Sequence, residues 1–128
     1  MNTIVKETAL IAVKSSQDLR GFEGYFVRWD IDGTVILCDD GFDPLGVLTD
    51  TEDISGRSSV AVCGAYGGIV KVKLRQPVAQ GDFLVLFGGG QVVTDPGSGV
   101  RRRVARAMES GNDQELIDAV LMTPLLLT

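Results

Sequence analysis

The sequence predicts a mainly-β single domain of sandwich or small-barrel type with little helix. Three observations carry that expectation. Glycine is enriched, with 16 in 128 residues, against an average usage of about 7%. Short runs of alternating polarity recur along the chain, and turn signals separate them at intervals of ~8–12 residues. The most legible stretch starts at Gly67. From there to Arg75, Val70, Val72 and Leu74 fall on one face and Lys71, Lys73 and Arg75 on the other, the period of a half-buried strand. Gln76 to Asp82 then breaks the ladder, since Pro77 lacks an N–H and Gly81-Asp82 suits a tight turn. A second apolar run, Phe83 to Phe87, leads through Gly88-Gly89-Gly90 into Gln91-Val92-Val93, and the whole predicts a β-meander.

The remaining elements follow in chain order. Residues 1–16 form an N-terminal arm or edge strand, with β-branched Thr3, Ile4 and Val5 and an apolar run to Val13, ahead of one β-rich domain over 17–128. Tyr25 to Trp29 and Thr34 to Cys38 make a hairpin through Asp30-Ile31-Asp32-Gly33, because Asp and Gly supply the left-handed positions such a turn needs. Asp39 to Pro44 is a loop. Leu45 to Thr49 is a strand, Asp50 to Ser59 a mobile connection or short helix, and Val60 to Cys63 a strand. After the breaker-rich Thr94 to Gly99, Val100 to Glu109 fits either a helix face or an alternating strand. Leu116 to Met122 is a final strand ending before Pro124, and Leu125, Leu126 and Leu127 form an apolar tail. No repeat of solenoid length is evident.

The chemistry is sparse. Histidine is absent, which removes Ser-His-Asp and Cys-His arrangements, the commonest metal ligand and the neutral-pH proton shuttle. Cys38 and Cys63 lie in apolar runs and outside any Cys-x-x-Cys pair; buried free thiols are expected, with a disulfide as the alternative. No signal-peptide pattern opens the sequence, so synthesis in a reducing cytosol is expected. Asp30-x-Asp32-Gly33 partly matches a calcium loop but lacks its later ligands, so it reads as a hairpin turn. Asp39 and Asp40 read as solvated loop residues. Gly88 to Gly90 opens onto a strand without a helix or a Lys-Ser/Thr pair, which argues against a phosphate loop. No cofactor and no metal site is expected. Trp29, Tyr25 and Phe26 read as core or subunit-interface residues rather than a ligand cage.

A net charge of -5 and a pI near 4.6 argue against nucleic acid as a partner. The apolar run Thr8 to Val13 is well short of the ~20 residues that cross a bilayer. Charge is uneven: eight carboxylates crowd Asp30 to Asp53, and Lys71, Lys73, Arg75, Arg101, Arg102, Arg103 and Arg106 follow later. Such asymmetry suits solvated faces or docking between proteins. Within it, Arg101-Arg102-Arg103 reads as solvated residues pairing with Glu109 or Asp113, or else as a binding patch.

The order of pieces from Pro44 to the C-terminus resembles the decoration, or cement, proteins of tailed-phage capsids. The residues that carry the likeness are Pro44-Leu45-Gly46-Val47-Leu48, the Gly68 to Val93 segment, Arg103 to Glu109 and Glu115 to Leu121. The resemblance favours strand for Val100 to Glu109 and implies a β-tulip or β-clip-like fold. It also implies a non-enzymatic virion protein, made in the host bacterial cytoplasm, that binds the exterior of the expanded head by bridging major capsid protein subunits, as a homotrimer before a dimer. On this reading Asn2, Thr3, Ile4, Val5 and Lys6 are the capsid-binding arm, and Leu10, Ile11, Val13, Leu125, Leu126 and Leu127 the oligomer interface. A β-clip or carrier-like small-molecule module is the alternative, although a carrier hairpin needs a lysine at its tip and the tip candidate here is glycine.

Overall fold

A computed structural model describes residues 10–50 and 56–128. The polar connection at 51–55 and the arm residues Asn2, Thr3, Ile4, Val5 and Lys6 lie outside the described residues. The described residues are all-β, with two antiparallel five-stranded sheets. The first holds β1 (Leu10–Lys14), β2 (Phe26–Trp29), β3 (Val35–Leu37), β4 (Gly46–Asp50) and β5 (Arg57–Val62); the second holds β6 (Ile69–Lys73), β7 (Phe83–Gly88), β8 (Gln91–Thr94), β9 (Arg101–Ala107) and β10 (Leu116–Leu127). The orders are β1-β5-β4-β2-β3 and β6-β10-β9-β7-β8.

These two orders are the same, and so are their registers. Leu10 faces Ala61 in β1–β5 and Ile69 faces Val120 in β6–β10, a shift of 59 in both numbers that holds along the ladder. Phe26 faces Val47 and Phe83 faces Arg106, with shifts of 57 and 59; Val27 faces Leu37 and Leu84 faces Thr94, both shifted by 57. Even the irregular bonds recur. A parallel bridge from the residue after the first strand curls each sheet toward closure, Ser15 to Val35 and Leu74 to Val92. Beside it the Ser16 N–H donates to Val35 O and the Arg75 N–H to Val92 O, each at 2.9 Å. The molecule is therefore one rolled unit built twice. Identical residues at equivalent places are few: Val13 and Val72, Lys14 and Lys73, Gln17 and Gln76, Gly24 and Gly81, Phe26 and Phe83, Gly33 and Gly90, Val35 and Val92.

Alternation along the strands explains the packing. Val13, Leu19, Val27, Val35, Leu48 and Val60 fill the first unit, and their equivalents Val72, Val78, Leu84, Val92, Ala107 and Ala119 are buried in the second. The opposite face of the first sheet contributes Phe26, Cys38, Val47 and Ala61 to the second unit's cluster, and this joins the halves. A buried Val or Leu is worth roughly 1.5–3 kcal/mol, so these two clusters hold the fold.

Several expectations need correction. β6 does not pair with β7, so residues 67–93 are not a meander: β6 pairs with β10, because the segment after it is held by the β9–β10 connection, where Val78 and Gly111 exchange backbone bonds of 2.9 and 3.1 Å. Arg57 to Ser59 belong to β5, whose pairing with Lys14 to Ala12 overrides their polar composition. The final strand does not stop before Pro124. Its register shifts between Leu121 and Leu125, which lets it pass a residue without an N–H, and the expected tail pairs Leu125, Leu126 and Leu127 with Arg103, Arg102 and Arg101. The hairpins through Asp30 to Gly33 and Gly88 to Gly90 form as expected, as does the strand over Arg101–Ala107.

Candidate interaction surfaces

The Asp30-Ile31-Asp32-Gly33 turn is held by its own side chains. Asp30 accepts from the Ile31 N–H (2.8 Å) and Ser16 Oγ (3.0 Å), and Asp32 accepts from the Thr34 N–H (3.2 Å) and hydroxyl. These bonds leave Ile31 fully exposed at the tip. Beside it, Trp29 and Phe42 are exposed, and the Arg28 guanidinium lies 4.0 Å from the Phe42 ring centroid. Arg28 Nε is buried with no hydrogen-bond partner. A depression of about 430 Å³ runs between Arg28, Trp29, Phe42, Pro44, Leu45 and Cys63.

Both cysteines are free. Burial pushes each thiol up to about 12, so neither is a thiolate near neutrality. They are packing residues.

The arginine run is divided among partners. Arg101 and Arg103 both bond to Asp95, whose side chain is 5% exposed. Burial pushes the Asp95 carboxyl up, but hydrogen bonds from the Gly97 N–H, Arg103 and Arg101 outweigh it and hold it below the ordinary range. Arg102 crosses to the first half, with Nε 2.8 Å from Asp43 Oδ1 and Nη1 donating to Asp40 O at 3.0 Å. The expected partners Glu109 and Asp113 are not used: Glu109 instead accepts from the Asp118 N–H and lies 3.7 Å from Lys71. Part of the charge asymmetry along the sequence is thus spent inside the molecule.

The segments expected at an oligomer interface fall on different sheets. Leu10 is exposed and Ile11 half-buried on the edge strand β1, whereas Val13 packs inside the first unit. Leu125 and Leu126 are exposed and Leu127 half-buried on β10. Sequence reasoning missed Ile31, Phe42, Ile69, Leu116 and Val120, all exposed apolar residues; on β6 and β10 the strand alternation that buries Val70 and Ile117 exposes these neighbours, and that signal was present. No known protein family and no curated protein matches the chain.

Proposed function

We propose that the protein is a non-enzymatic structural component, a capsid decoration protein that docks on the exterior of an assembled, expanded head and bridges major capsid protein subunits. The observation that carries this reading is the spread of large exposed apolar side chains over both halves, including Phe42, Ile69, Phe87 and Leu126. Exposed apolar surface marks contacts with other macromolecules where it is contiguous, and apolar side chains on both halves suit a broad protein partner better than one small ligand. The resemblance in the order of strands and turns adds the class of partner. Several modest contacts from a multivalent oligomer would sum to tight attachment. The test is co-sedimentation with empty, expanded capsids: a saturable stoichiometry matching the lattice symmetry is expected, and protein left in the supernatant at all concentrations contradicts the proposal.

A second reading, a β-clip-like small-molecule module, draws on the depression beside Arg28. Its volume lies within the ~300–1,000 Å³ of ligand pockets, and the Arg28 side chain is one of its walls. A ligand screen by thermal shift separates the two readings, since only this one expects wild-type stabilisation that Arg28→Ala removes.

A further inference from the structure

The two halves are equivalent in fold but are joined by an asymmetric contact. The β7–β8 turn of the second half inserts Gly90 into the β2–β3 ladder of the first: the Phe26 N–H donates to Gly90 O and the Gly90 N–H to Cys38 O, both at 2.8 Å. Only glycine fits there, because a Cβ would lie 2.7 Å from Phe26 O and φ is +83°. The equivalent slot in the second half, between Phe83 and Asp95, keeps the Asp95 N–H bond to Phe83 O (2.8 Å), but among the described residues no turn bonds into it. The equivalent turn in the first half ends in Gly33, also at φ +83°, with nothing within 4 Å of a built Cβ.

Burial follows the same division. Phe26, Val47 and Ala61, on the first half's receiving face, are completely buried, while their equivalents Phe83, Arg106 and Val120 are half-buried, exposed and 36% exposed. On the inserting side Leu86 is 4% exposed and its equivalent Trp29 is 48% exposed. One donor surface and one acceptor surface are therefore left over, each an equivalent of a surface already matched within the chain.

We propose that the protein self-associates head to tail, the Asp30–Gly33 turn and Trp29 of one molecule docking on the Phe83, Arg106 and Val120 face of the next as Gly90 and Leu86 dock within the chain. The charges agree. The free turn carries Asp30 and Asp32, while Arg106 lies 4.9 Å from the Phe83 ring centroid; Arg103, 4.3 Å from it, is already paired with Asp95. The Arg106 guanidinium bonds a carbonyl, Gly81 O at 3.0 Å, and no carboxylate among the described residues. A heterologous contact closes a ring where its rotation closes and otherwise runs on as an open filament. This inference stands apart from the capsid reading and is tested without capsids.

Sedimentation equilibrium of the chain, from micromolar concentration upward, reads the result. Wild type is expected to form a discrete oligomer. Ile31→Asp alters a fully exposed residue, so the fold is kept, and it should weaken association by roughly tenfold or more. Asp32→Lys and Arg106→Glu should each weaken it, and the two together, mixed in one chain, should recover most of the loss. A wild type that stays monomeric, or an oligomer whose association constant Ile31→Asp leaves unchanged with an unaltered melting curve, overturns the proposal.

Discussion

Asp95 ties the loop after β8 to the start of β9 by bonding Arg101, Arg103 and the Gly97 N–H together. Removing it leaves two guanidinium groups without their carboxylate, one of them only 11% exposed. Asp95→Ala should therefore cost about 3 kcal/mol, measured by urea unfolding. Because the folded carboxyl is held low, its contribution is present above the ordinary Asp value near 3.9 and is lost as pH falls through the folded value. Asp95→Asn should flatten that acid limb of the stability profile. Ser58 presents the opposite case: it is 2% exposed, its Oγ has no partner, and the second half carries Ile117 at the equivalent place. Ser58→Ala should stabilise by about 1 kcal/mol, seen as a melting temperature higher by roughly 3–5 °C. Neither role was legible in the sequence, where Arg101 to Arg103 pointed toward Glu109 or Asp113; nothing in residue spacing shows that the Thr94 to Gly99 loop folds back onto β9.

At the scale of elements, the strands that alternate were legible and their neighbours were not. Val70, Val72 and Leu74 fixed β6 from polarity alone, yet its partner is β10, some 47 residues on at Lys71 and Asp118, and pairing at that distance leaves no local mark. β5 was read too short and β10 too short for related reasons: ladder partners hold Arg57 and Ser59, and a register shift carries the chain past Pro124. The repeat was hidden because only scattered positions such as Phe26 and Phe83 or Gly33 and Gly90 kept their residue, while the buried face tolerates any apolar side chain of suitable size. The two glycine turns give a test within one molecule. Gly90→Ala meets both a left-handed φ and the Phe26 carbonyl, so it should cost about 3 kcal/mol or more, whereas Gly33→Ala meets only the φ penalty of about 1–2 kcal/mol. Equal losses of melting temperature would show that the Gly90 contact does not join the halves.

At the scale of the molecule, a rolled unit built twice and joined asymmetrically exposes apolar side chains on both halves and gathers no metal-holding group of side chains among the described residues. The fold class was legible from glycine content and strand spacing, and the exposed side of β6 and β10 from their alternation; exposure of the Ile31 turn was not, because it depends on which turn docks on the other half. On the proposed function, the protein adds its binding free energy only to the state it recognises, so it is expected to discriminate the expanded shell from its precursor. The most direct measurement is a binding titration of precursor and expanded heads in parallel, pelleting each and quantifying bound protein. The account predicts saturable, symmetric binding to expanded heads with at most weak binding to precursors, and a higher disruption temperature for the decorated shells. Equal binding to both forms, or none to either by a folded protein, would contradict it.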